Sequence, residues 1–186
     1  MLWMLGLGGA AAVAVAASCA SSRERDLVGA GDAAQERTRA TAGDTSRATV
    51  ESGVDRFTTL FEAFEPHAVA AAALETYADD AYFNDGFVEL EGSAAIAEYL
   101  RRSAESVDGF EADIEDVTVG DADAYVRWVM RFTVGDKTIV APGISQLRFD
   151  GDGRVIYHRD HWDASAALAH FVPFVSRILE AVRSRL

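Results

Sequence analysis

Hydrophobic positions along this chain change their period twice. Val54, Phe57, Leu60, Phe61 and Phe64 recur every three or four residues, which predicts an amphipathic helix with one buried stripe. Pro66 suits the first turn of a second helix running from Ala68 to Tyr77. Around Asn84-Asp85-Gly86, the runs Ala81–Phe83 and Phe87–Leu90 predict two short strands, and Ser93 stands where it can cap a third helix over Ala94 to Ser103.

Beyond that helix the period becomes two. Ile114–Val119, Ala124–Val134, Thr138–Phe149 and Arg154–Trp162 alternate or run apolar, separated by Gly120-Asp121, Gly135-Asp136 and Asp150-Gly151-Asp152-Gly153. Turn residues at those spacings predict antiparallel strands joined by hairpins. Three helices followed by such a meander imply an α+β domain, with a curved, mostly antiparallel sheet wrapped around its helices. In the tail, Phe171, Phe174, Val175, Ile178, Leu179 and Val182 share one helical face, so a C-terminal amphipathic helix over 171–186 is expected, docked on the domain or on a second subunit.

The N-terminal third follows neither period. Residues 1–22 carry no charged side chain, and Met1 to Leu7 is strongly apolar. The segment resembles an export signal, and Ala16-Ala17-Ser18-Cys19 resembles a lipoprotein cleavage box in which Cys19 would be lipidated. About 20 apolar residues also suffice for an uncleaved membrane anchor. The competing expectation is a start-site artefact on a cytoplasmic protein. Residues 23–50 are rich in Ala, Arg, Thr, Gly and Asp with few large apolar side chains, which predicts a disordered linker ahead of a domain over 51–186.

Charge narrows the partners. The chain has net charge −13, and residues 1–50 contribute five acidic and five basic side chains, so the whole excess lies in the domain. Such a surface repels phosphate backbones and excludes nucleic acid as an expected partner. Cys19 is the single cysteine, which leaves no internal disulfide and no cysteine-based metal site. No cofactor motif is present, and neither a metal nor a cofactor is expected.

Strand geometry collects the chemistry. In the last strand Ile156, His158, Asp160 and Trp162 share one face, and in the middle strand Val126, Trp128, Met130 and Phe132 share one. Turning these apolar sets inward carries His158 and Asp160 into an aromatic-lined pocket. His158 and His161 fall on opposite faces, so they cannot share a metal.

Two stretches carry a family resemblance. Tyr77-Ala78-Asp79-Asp80-Ala81 followed by Asp85 resembles the helix-to-strand signature of the ketosteroid isomerases. Gln146-Leu147-Arg148-Phe149-Asp150 through Arg159-Asp160-His161-Trp162 resembles the last hairpin of SnoaL-like and limonene-epoxide-hydrolase relatives. The likeness covers Val54 to Ala164 and implies the cone of the nuclear-transport-factor-2-like (NTF2-like) superfamily, a cofactor-free pocket and a homodimer. On the isomerase pattern Asp85 falls on the general base, while Phe61 and Ser145 occupy the places of the Tyr and Asp that donate to the oxyanion. On the epoxide-hydrolase pattern Asp160 falls on one of two carboxylates. Trp128 and Met130 stand in place of the Arg and the other Asp, Phe83 in place of a Tyr, and Asp85 in place of an Asn.

The expected site is therefore Asp85, His158 and Asp160, with Asp85 as base and the other two as an acid or orienting pair. Phe61, Phe83, Trp128, Met130, Ser145 and Trp162 are expected to line the pocket around it. Carboxylates and an imidazole between apolar walls make acid/base chemistry near neutral pH available. Two functions fit: a cofactor-free, isomerase-like proton-transfer enzyme for a small hydrophobic molecule of polyketide, steroid or terpenoid type, or a non-catalytic module holding a hydrophobic ligand or a protein partner. Under either, His158 and Asp160 could instead be a core histidine and an ion-pairing strand-end residue.

Overall fold

The computed structural model describes residues 29–42, 45–62 and 64–163. The chain divides into two compact units, Met1–Arg37 and Thr38–Leu186. In the first, residues 29–37 are helical, part of helix α1 over 29–42. The expected signal or anchor with Cys19 and the expected C-terminal helix lie outside the described residues. No described helix is long and apolar enough to cross a membrane.

The second unit begins earlier than the apolar periodicity indicates. Helix α2 spans Arg47–Glu62, with Ser46 Oγ accepting the Thr49 amide at 3.2 Å as its cap. Val50 is fully buried and Ala42 belongs to the same core. The disordered linker expected over 23–50 is thus corrected: it is helical over 29–42 and again from Arg47. Alanine is the strongest helix former, and a small side chain seals a core without the bulk that a hydrophobic-period search detects.

Helix α3 spans Pro66–Thr76, with the proline in its first turn, and passes straight into strand β1, Tyr77–Asn84, at an extended Tyr77. After β2 (Glu89–Glu91), Gly92 takes φ +92° as the N-cap of α4, Ser93–Glu105. The cap is therefore Gly92 rather than Ser93. The buried positions of α4 are Ser93, Ile96, Ala97, Leu100 and Ala104, one stripe at helical spacing.

The remaining strands are β3 (Gly109–Val119), β4 (Asp123–Val134), β5 (Lys137–Phe149) and β6 (Val155–Trp162). They form one six-stranded sheet in the order β2-β1-β6-β5-β4-β3. Only β1 and β6 pair parallel. Two strands start earlier than expected. Tyr77 and Ala78 extend β1 because both are buried, and Phe110 and Ala112 extend β3 because they alternate with Glu111 and Asp113. The helices pack on the concave face of this sheet around Val50, Val69, Ile96, Leu147, Phe149 and Val155, all fully buried. This is the α+β arrangement expected from the pattern, in the NTF2-like form that the family resemblance implies.

Candidate functional site

Concave-facing residues of β4 and β6, the end of β1 and one side of α4 enclose a cavity of about 260 Å³. Phe61, Phe83, Trp128, Met130, Phe132 and Trp162 supply much of its apolar wall, and Asp85, His158 and Asp160 reach the same space. Period-two alternation explains the grouping. Trp128, Met130 and Phe132 from β4 and His158, Asp160 and Trp162 from β6 point inward, while Arg127 and His161 are exposed.

A directed chain of hydrogen bonds runs through the wall. Tyr77 is fully buried at the start of β1, and its hydroxyl lies 2.8 Å from His158 Nδ1. His158 Nε2 lies 2.8 Å from Asp160 Oδ1. From the other side Trp128 Nε1 donates to Ser145 Oγ at 2.9 Å, and Ser145 Oγ donates to Asp160 Oδ1 at 2.6 Å.

Burial, with smaller contributions from the Asp160 and Asp85 charges, raises the ionisation of Tyr77 well above the ordinary range, so the phenol keeps its proton. Its hydroxyl pairs with His158 Nδ1, and on the other side of the ring Nε2–H donates to the Asp160 carboxylate. Two donors converge on Asp160 Oδ1. Oδ2 accepts no hydrogen bond from described residues, and no buried side-chain polar atom among them lacks one, so Oδ2 opens into the cavity. The Asp160 side chain is 10% exposed.

Asp85 is bound differently. Its Oδ1 accepts the amides of Phe87 at 2.9 Å and Val88 at 3.0 Å, closing the turn after β1, and its Oδ2 accepts the Tyr99 hydroxyl. Trp162 Nε1 donates to the Asp85 carbonyl at 2.6 Å, tying this turn to the end of β6. Phe87, 49% exposed, stands edge-on against Trp162 at the cavity wall. Burial, then the Asp85 charge, pushes the Tyr99 phenol far above its ordinary range.

Ser145, expected in the lining, sits one layer behind it. It is 1% exposed, and its hydroxyl is committed to Asp160. Sequence reasoning missed Tyr77 and Tyr99. Tyr77 is hidden at a helix–strand junction, where neither period applies. Tyr99 was signalled only as a polar-tipped ring beside the Ile96–Leu100 stripe of α4. Among the described residues no group of three or more His, Cys, Asp or Glu is placed to hold a metal ion.

A helix-filled curved sheet thus closes an aromatic cavity around a few titratable groups, the architecture of a pocket domain. The SnoaL-like domain model matches residues 57–158, more than half of the chain, and the protein belongs to that family. Comparison with curated proteins finds no match.

Solved structures agree on the fold. An LEH-like epoxide hydrolase from M. tuberculosis superposes with TM-score 0.54 at 20% identity, covering 67% of this chain and 98% of that one. A protein designated a SnoaL-like polyketide cyclase, from Jannaschia sp. CCS1, gives 0.55 at 17%, covering 63% and 89%. A protein with a ketosteroid isomerase-like fold from Catenulispora acidiphila, in complex with trimethylamine, gives 0.55 at 16%, again covering 63% and 89%. At these identities the likeness carries the fold alone.

Proposed function

We propose that the protein is a cofactor-free proton-transfer enzyme acting on a small, largely apolar molecule, with Asp160 as the base. The observation that carries this reading is the asymmetry of Asp160. One carboxylate oxygen is held by Ser145 and His158, and the other opens into an aromatic cavity. A base fixed on one side and open on the other is positioned without being neutralised. In the step, a C–H proton moves to Asp160 Oδ2, and the C–H electron pair enters the adjacent unsaturated group. Return of the proton to a different carbon completes an isomerisation. Tyr77 and His158 act as positioning residues that hold the carboxylate, and Asp85 acts as a fixed charge.

This assignment exchanges the roles read from the sequence, where Asp85 is the base. All three hydrogen bonds that the Asp85 carboxylate accepts come from its own turn and from Tyr99. Those bonds favour a structural anion.

Deuterium uptake from D2O into a panel of apolar ketones of terpenoid, polyketide and steroid type and of their dialkyl iminium salts tests the reading, with native mass spectrometry reporting binding. Wild type is expected to catalyse exchange into at least one member, and Asp160→Asn to lose about a hundredfold or more of that rate while still holding the molecule. A ligand held unchanged by both proteins would replace the enzyme with a binding module. Exchange that survives Asp160→Asn would remove Asp160 as the base.

A further inference from the structure

The charge and hydrogen bonding of the cavity wall say what kind of molecule suits it. Asp85 and Asp160 are its charged side chains, and no Lys or Arg among the described residues lines it. Among the described residues Asp160 forms its one ion pair with His158, and the donors to the Asp85 carboxylate are two amides and a phenol. Two carboxylates thus face one small cavity with no Lys or Arg among the described residues opposite them. Like charges held together away from water repel, and a cation placed between them relieves that repulsion.

The donors in the wall point to the same conclusion. Six side chains there carry an N–H or O–H, and each already donates elsewhere. Tyr99 donates to Asp85, His158 to Asp160, Trp128 to Ser145 and Trp162 to the Asp85 carbonyl. Ser103 donates to the Tyr99 carbonyl at 2.9 Å and Ser106 to the Ser103 carbonyl at 2.7 Å. Among the described residues, a substrate carbonyl oxygen gathering negative charge would find no uncommitted side-chain donor. Stabilising such an oxyanion takes donors already aimed at it. This wall instead presents carboxylates and ring faces, and ring faces attract cations.

We propose that the cavity takes a compact organic cation, an ammonium or iminium nitrogen bearing apolar substituents, with its charge between Asp85 and Asp160 and its substituents against Phe83, Trp128 and Trp162. The volume of about 260 Å³ suits a compact ligand, since sites for drug-sized molecules span about 300–1,000 Å³.

This inference rests on the reading of Asp160 as the reacting base and supplies what that reading lacks. When a proton leaves the carbon beside an iminium for Asp160 Oδ2, the C–H pair becomes a carbon–carbon double bond. The C=N pair then becomes a lone pair on nitrogen. The product is a neutral enamine, so no oxyanion forms and no oxyanion donor is needed.

The test uses the full chain with choline and its neutral carbon isostere dimethylbutanol, which differ in charge at nearly constant shape. Isothermal titration calorimetry reads affinity, and the fluorescence of Trp128 and Trp162 reports occupancy of the cavity. Choline is expected to bind about tenfold or more tighter than the alcohol. Asp160→Asn should cut that preference while leaving the alcohol's affinity unchanged, and Asp85→Asn should do the same wherever thermal melting shows its turn intact. Equal affinities, tighter binding of the alcohol, or no binding of either would overturn the proposal. Deuterium exchange keeps the two readings apart. A choline preference without exchange into any ketone or pre-formed dialkyl iminium salt retains the cation site and removes the proton transfer, and exchange into neutral ketones without a choline preference does the reverse.

Discussion

Gly143 is the seat on which the cavity wall rests, and replacing it by alanine should be felt at Asp160. Gly143 faces Trp128 across the β4–β5 ladder, and a methyl group there would stand 2.3, 2.5 and 2.8 Å from the indole carbons Cη2, Cζ2 and Cζ3. Carbon–carbon contacts are comfortable only from about 3.5 Å, so the ring must withdraw by about 1 Å. Its Nε1–H bond to Ser145, 2.9 Å long, cannot follow that movement and stay within about 3.2 Å. The ring would tip into the cavity and Ser145 would lose its orienting donor.

Overpacking costs about 1–3 kcal/mol, and an unpaired buried donor costs about 1–3 kcal/mol more. Gly143→Ala should therefore lose about 2–6 kcal/mol, lowering the urea midpoint by about 1–3 M at a slope of about 2 kcal/mol per M. Urea titration followed by circular dichroism measures it. On a Trp128→Leu background the added methyl meets no ring, so the same substitution should cost under about 1 kcal/mol, and the difference is the coupling energy. Equal cost in both backgrounds would refute the argument, as would a Gly143→Ala protein of wild-type stability.

Two further outcomes follow from the buried polar groups. Arg148, 3% exposed, holds Asp123 through parallel bonds of 2.6 and 2.8 Å, a fork that lysine cannot reproduce, so Arg148→Lys should lose about 1–3 kcal/mol in urea unfolding; unchanged stability would show the fork to be dispensable. Tyr77, Tyr82 and Tyr99 all ionise above the ordinary phenol value of 10 in the folded state. The unfolded chain releases these protons first, so their contribution to stability is present below about pH 10 and is lost as pH rises toward the folded values. Tyr77→Phe removes part of that alkaline loss and leaves His158 Nδ1 without its donor, costing about 1–3 kcal/mol at neutral pH. An alkaline slope identical to wild type in urea melts would contradict the assignment.

Much of the site was legible because side-chain direction in a strand is a local property. Backbone alternation alone sends Trp128, Met130 and Phe132 to one side of β4, and His158, Asp160 and Trp162 to one side of β6, whichever strands they later pair with. The helical stripe of α2 is equally local. Residues 29–42 escaped because alanine packs without leaving a hydrophobic period, and the early start of β3 escaped because acidic residues interleave Phe110 and Ala112.

What the sequence determined by itself is the order of helices and strands, the acidic surface and the short list of titratable residues that share an inward face, since each depends on neighbours within a few positions. What only the tertiary structure decided is how those residues divide the hydrogen bonds among them. Parallel pairing of β1 with β6 brings Tyr77 to His158 across 81 positions, and the packing of α4 brings Tyr99 to Asp85. Those contacts leave one oxygen of Asp160 open while Asp85 is held by its turn and Tyr99. A buried donor or acceptor takes whichever partner the assembled fold brings within about 3 Å, and no local pattern in the chain encodes that distance.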